Sequence, residues 1–159
     1  VAFVAWWNSF PNAPTGGNQL ADDYEARVAQ GPGTMGTSKR VATGASFRLR
    51  DISMLNLDVD GADPTTCRLI EAKHDSSGRV WTTEGYPWRP GPDESVDFRD
   101  KDGLSGELYR YRLITRNYES IVRGLEVRTN TAEAVKFFSQ ELPKFGFVLG
   151  VDGFVIPYA

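Results

Sequence analysis

The chain holds one cysteine and one histidine in 159 residues, and that scarcity removes whole classes of chemistry. Cys67 has no partner for an internal disulfide. Together Cys67 and His74 are too few for a zinc site or for a nucleophilic Cys–His pair, and Cys67 reads as a buried structural thiol on a strand. No apolar run approaches the roughly 18 residues that cross a bilayer, and no basic-then-apolar leader is visible. No membrane or small-molecule cofactor is therefore expected, and the chain reads as soluble. Positive charge is not in excess either: 18 Lys and Arg against 21 Asp and Glu give −3. That balance argues against a protein that coats nucleic acid, which needs clustered cations along its surface. Opening on Val1 instead of Met suggests an excised C-terminal domain, a processed product or an expression start.

What remains is ordinary globular composition, 40% apolar and 25% charged, in a length that fits one domain over residues 1–159. Residues 1–19 combine Trp6, Trp7 and Phe10 with Pro and Gly, the composition of an irregular arm packed on the domain. Leu20, Tyr24 and Val28 have helical spacing after an Asn18 or Thr15 cap, ending near Gly31-Pro32-Gly33. A glycine-rich loop follows to Arg40, and residues 46–60 read as strands broken near Arg50-Asp51. Residues 75–103 read as a long functional or partner-facing loop. Its Trp81, Tyr86, Trp88 and Arg89 suit either stacking on bases or packing on the core. Leu104 to Tyr118 reads as a helix and 120–129 as a strand. Asn130 and Glu133 suggest a capping box for a helix carrying Val135, Phe138 and Leu142. Two apolar runs about Val151-Asp152-Gly153 suggest a terminal hairpin. The sum is an α/β domain with a mixed central sheet flanked by helices.

Chemistry concentrates in residues 55–74, LNLDVDGADPTTCRLIEAKH. Leu69 and Ile70 lead into Glu71-Ala72-Lys73 as a buried strand, and alternation puts Glu71 and Lys73 on one face. In the preceding strand Asn56, Asp58 and Asp60 share a face opposite Leu55, Leu57 and Val59. Asp60 is preferred as a ligand because Gly61 lets the backbone turn sharply after it, with Asp58 and Asp63 as runners-up. Two carboxylates beside an ammonium suit a divalent cation and the anion it polarises, the requirement of phosphodiester chemistry. Basic clusters at Lys39, Arg40, Arg48 and Arg50, then Arg110, Arg112, Arg116, Arg123 and Arg128, are either solvated surface or a nucleic-acid groove. Lys39, Arg40, Arg110 and Arg112 are the first candidates.

These residues resemble the PD-(D/E)XK nuclease superfamily of the restriction-endonuclease fold, with Val59 where the strictest motif has Pro. The pattern of Asp-Gly, a short gap, then two apolar residues before Glu-Ala-Lys is similar to the toxin domains of bacterial polymorphic and type VI secretion effectors, particularly the fifth such group. The resemblance implies a restriction-endonuclease-like mixed sheet and catalysis by Asp60, Glu71 and Lys73. It also implies Mg²⁺ or Mn²⁺ held by Asp60, Glu71 and the Ala72 carbonyl. It makes Glu25, otherwise a surface Glu, an accessory acid on the first helix, and Glu107 with Tyr111 resembles the Gln-x-x-x-Tyr element of some members, with Arg110 beside them. The implied activity is a Mg²⁺-dependent DNase, exported from the producing bacterium to act in a target-cell cytoplasm and held in check by an immunity protein. A repair, restriction or mobile-element nuclease on the same fold and a non-catalytic interaction module remain as alternatives.

Overall fold

The computed structural model describes residues 2–14, 19–45, 55–75 and 104–159, the side chains of Leu104 and Ser105 excepted. The residues read above as strands over 46–54, the Thr15 and Asn18 caps, and the loop aromatics Trp81, Tyr86 and Trp88 with Arg89 lie outside them. In chain order the elements are α1 (Ala2–Asn8), α2 (Gln19–Val28), β1 (Lys39–Ala42), β2 (Asn56–Val59), β3 (Gly61–Asp63) and β4 (Arg68–Lys73). After these come α3 (Leu104–Asn117), β5 (Gly124–Thr129), α4 (Ala132–Glu141) with a 3₁₀ turn over Leu142–Phe145, and β6 (Gly153–Pro157).

The strands β3-β4-β5-β6 form one mixed sheet, antiparallel between β3 and β4 and parallel thereafter, and β1 pairs with β2 in a second antiparallel ladder. Strand β4 is covered on both faces, which is why Leu69 and Ile70 run together without a polar residue between them. Leu69 belongs to the main core with Phe3, Trp7, Leu108, Tyr111, Leu125 and Phe138, contributed by α1, α3, α4 and β5. Ile70 packs against Tyr24, Val28 and Ala29 of α2 and its following turn. A buried ionic chain fixes α2 to that second face. Glu126 accepts from Arg68 at 2.9 Å and from Arg128 at 3.0 Å, and Arg128 also donates to the Val28 carbonyl at the end of α2.

Several expectations change. Residues 2–8 are helical, not irregular, because Phe3 and Trp7 stand one turn apart and both bury. Trp6 meets Phe10 edge-on and Tyr118 at a tilt. The loop after Gly31 already becomes strand at Lys39, where β2 supplies a partner. In α2 Tyr24 and Val28 are buried, but Leu20 is 67% exposed. Cys67 lies in the turn before β4 with φ 57, and its thiol sits 3.9 Å from the Pro64 carbonyl oxygen. Thr131, not Asn130, caps α4, accepting from the Ala134 N–H, while Asn130 exchanges hydrogen bonds with the backbone of Asp75. The C-terminus is no hairpin. Residues 148–152 turn, and β6 runs parallel to β5 after the α4 crossover.

Gly61 is required for a reason other than a turn. Its φ is not positive, but a Cβ there would meet the Ala29 carbonyl oxygen at 1.9 Å. Backbone approaches backbone here, holding the end of α2 against the start of β3 and hence beside Asp60. Gly61→Ala is expected to lower unfolding free energy by about 2–3 kcal/mol, the usual cost of forced overpacking. Urea denaturation measures it; a change under 0.5 kcal/mol would show that α2 moves freely away from β3.

Candidate active site

The site assembles at the end of β4. Pairing of Gly61 with Ile70 in the antiparallel ladder carries the preceding residue, Asp60, alongside Glu71 and Ala72. The Ala72 N–H donates to Asp60 Oδ2 at 2.8 Å, fixing that carboxylate against β4. Period-two alternation sends Glu71 and Lys73 to the face covered by α3, where Lys73 Nζ lies 2.9 Å from Glu71 Oε1 and 2.6 Å from Glu107 Oε1. The Tyr111 hydroxyl donates to Glu71 Oε2. Glu107 and Tyr111 are one helical turn apart, so a single face of α3 supplies both contacts.

From the opposite face α2 brings Glu25. Gln30, in the turn after α2, donates to Glu25 Oε1 at 2.9 Å and to the Asp60 carbonyl at 3.1 Å. No sequence signal marked Gln30, because its contribution depends on how that turn meets β3. Glu25, Asp60, Glu71, Ala72, Lys73 and Glu107 line one cleft of about 770 Å³ that Asp22, Asp23 and Asp58 also border.

Burial and mutual repulsion dominate the electrostatics. The Asp60 carboxyl is pushed up to about 8, first by burial and then by Glu25, with Lys73 and the Ala72 N–H pulling the other way. Burial also raises Glu71 well above the carboxylate range, and Asp60 and Glu107 add to it against Lys73 and Tyr111. Glu25 is raised by burial and by Glu71. For Lys73 burial alone would lower the ammonium, but Glu107 and Glu71 outweigh it and hold it above its ordinary value. Lys73 is therefore a permanent cation at neutral pH, not a base. Burial likewise raises Tyr111, with Glu71 and Asp60 adding to it, so its phenol stays a donor.

Three carboxyl groups that raise one another are a donor set short of positive charge. Hard oxygen ligands of this kind fit Mg²⁺ or Mn²⁺. Among the described residues no group of three His, Cys, Asp or Glu side chains is gathered so as to enclose an ion by itself. Asp60, Glu71 and the Ala72 carbonyl would have to be supplemented by water and a substrate oxygen, the arrangement a reluctantly dehydrating cation favours.

Of the other candidates, Asp58 is exposed and paired with Arg40 at 2.8 Å. Asp63 caps the turn before β4, accepting from the Thr65 N–H at 2.8 Å. Arg40 and Arg110 lie with Asp58 and Glu107 around an adjoining hollow, and Arg110 donates to the Asn56 carbonyl at 3.1 Å. Lys39 neighbours Arg40 on β1. Arg112 is not part of this group: it pairs with Asp152 at 3.1 Å and lines a separate cavity at the opposite end of β4.

The family model described as restriction endonuclease fold toxin 2 matches residues 38–146. That is the second toxin group, where the motif pointed to the fifth. No curated protein and no solved structure matches the chain significantly. The matched span contains β1 through α4, including Asp60, Glu71, Lys73, Glu107 and Tyr111. With an α/β fold built on a mixed sheet and a match over more than half its length, the chain belongs to the restriction endonuclease fold toxin 2 family.

Proposed function

We propose that this nuclease toxin is a divalent-metal-dependent DNase whose active site is Asp60, Glu71 and Lys73. The observation that carries the reading is the convergence of these three side chains, thirteen residues apart at most in sequence, Asp60 from between β2 and β3 and the other two from β4, with Glu107 and Tyr111 delivered by α3. Asp60, Glu71 and the Ala72 carbonyl would hold Mg²⁺ or Mn²⁺. Such an ion lowers the pKa of bound water and polarises a phosphoryl oxygen.

The protein's own residues do the rest. Lys73, buried and always charged, stabilises negative charge accumulating on the scissile phosphate and orients the attacking water. Glu107 aims the Lys73 ammonium, and Tyr111 fixes the rotamer of Glu71. Arg40 and Arg110, beside the cleft, carry the positive charge available to flanking phosphates, because the cleft itself is acidic. The toxin acts, in this proposal, in the cytoplasm of a target bacterium after delivery by a type VI or related secretion system, and an immunity protein protects the producer. The family match supports the toxin character; the route and the inhibitor are inferred from it.

Asp60→Ala and Glu71→Ala are expected to abolish Mg²⁺-dependent plasmid cleavage, and Lys73→Ala to slow it on the order of 10²-fold or more while metal binding persists. Parent-like cutting by all three variants would refute the assignment. Glu107→Gln and Tyr111→Phe should lower kcat less than Lys73→Ala, since they position other groups; single-turnover rates decide the order.

Proton and metal compete for the same carboxylates. Asp60 has a folded value of about 8 against an ordinary 3.8, so the folded metal-free protein binds more protons than the unfolded chain across that interval. Stability therefore falls as pH rises from about 4 to about 8, and is not regained above it. A cation replacing the proton reverses this loss. The rise in Tm caused by Mn²⁺ is thus expected to be greater near pH 8 than near pH 5.5; an equal or smaller rise at pH 8 would mean that metal binds elsewhere.

Arg110→Ala is expected to weaken binding to a DNA duplex and to reduce the slope of log affinity against log salt by about one contact. Arg112→Ala should leave that slope unchanged. The reverse pattern would place the nucleic-acid groove at the other end of β4.

A further inference from the structure

Among the described residues, the largest concentration of arginine outside the catalytic cleft surrounds a cavity of about 660 Å³ at the N-terminal end of β4. Arg68, Arg112, Arg116 and Arg123 line it, against only Glu119 and Asp152. Arg68 is committed to Glu126 and lies 3.5 Å from the centre of the Phe154 ring; Arg112 is committed to Asp152 and lies 5.4 Å from that of Phe147. Arg116 and Arg123 are exposed, with no carboxylate partner among the described residues.

Beside these guanidinium groups stands an apolar tip. Among the described residues five large hydrophobic side chains are exposed, and three of them, Val148 (57%), Leu149 (43%) and Val151 (69%), belong to one four-residue turn. Scattered exposed aliphatics need no explanation, but three on one turn do. The turn is held in shape: Asp152 Oδ1 accepts from the Val148 N–H at 2.7 Å, and Gly150 takes φ 82. Val151 and Asp152 line the arginine cavity, so the tip and the cations are one surface.

Its position separates it from catalysis. Relative to Glu107, the cavity-lining residues Arg112, Thr115 and Arg116 lie roughly 80–180° round α3 and about 8–14 Å further along it. The cavity and the catalytic cleft thus lie at opposite ends of β4. Aliphatic side chains beside arginines also suit a protein better than a phosphate backbone, since protein interfaces combine an apolar centre with Arg anchors.

We infer that this surface, formed by Arg116, Arg123 and the 148–151 tip, is the docking site of an acidic protein partner, in the toxin setting the neutralising protein of the producer. The inference rests on the toxin reading. Carboxylates of the partner would pair with Arg116 and Arg123, and its apolar side chains would cover Val148, Leu149 and Val151. Charge complementarity would speed association and make it salt-sensitive. The catalytic cleft would not supply the contact.

The probe is the protein encoded immediately downstream of the toxin gene, titrated against the purified chain by calorimetry. Binding should weaken at least tenfold for the Arg116→Glu, Arg123→Glu double variant and for Val151→Asp, while Glu71→Ala and Lys73→Ala bind like the parent. Parent-level plasmid cleavage by the docking variants shows that they are folded and that the nuclease reading stands independently. Loss of binding in the cleft variants with none in the docking variants would overturn the inference and put the partner over the cleft. Docking variants that lose DNA affinity but keep the partner would overturn it in favour of a nucleic-acid contact. No complex with the parent would overturn it as well, and if the parent also fails to cut DNA the nuclease reading falls with it.

Discussion

Glu71 is only 3% exposed, and a carboxylate taken so far from water is tolerated only with close partners. Lys73 and Tyr111 meet that requirement, whereas Asp60, drawn alongside by the Ala72 N–H, adds repulsion that only further positive charge relieves. Lys73 shares a strand face with Glu71, Tyr111 brings α3, and Asp60 brings β3 through the Ala72 N–H. Glu107 then completes Lys73, and Gln30 ties Glu25 and α2 to the same place. Much of the tertiary structure around β4 follows from keeping this one group partnered.

The arrangement remains electrically unfinished. Asp60, Glu71 and Glu25 all hold their protons more tightly than usual because each is buried and near another, and a single ammonium does not offset three carboxylates. Active sites are where such imbalance is retained. A purely structural ion pair would need Glu71 and Lys73 alone; the additional buried Asp60 is what an interaction module would have no use for. Apart from Lys73, no cation among the described residues lines the acidic cleft. Arg40 and Arg110 flank it, whereas Arg68, Arg112, Arg116 and Arg123 gather at the opposite end of β4.

Much of this was legible in the sequence where local periodicity governs. Strand alternation put Glu71 and Lys73 together, and helical spacing put Glu107 and Tyr111 on one face of α3. Asp60 is preferred over Asp58 in the sequence for the turn that Gly61 allows, whereas in the structure Gly61 is set by contact with Ala29, a residue thirty-two positions away. Gln30 was invisible for the same cause: its partners are fixed by tertiary approach. The terminal hairpin was misread because two apolar runs about Asp-Gly imitate a turn between paired strands. A strand, helix, strand order favours the parallel crossover that β5, α4 and β6 adopt. Helix α1 was masked by the Pro and Gly that follow it, although Phe3 and Trp7 already had helical spacing.

The decisive property of the cleft is whether Asp60 and Glu71 bind a cation together. Anomalous diffraction from crystals soaked in Mn²⁺ tests this without relying on turnover. A peak within coordination distance of both carboxylates and the Ala72 carbonyl oxygen, absent in Asp60→Asn crystals, is the predicted result. A well-occupied Mn²⁺ site elsewhere, or no peak here at saturating metal while plasmid cleavage still requires Mn²⁺, would contradict it.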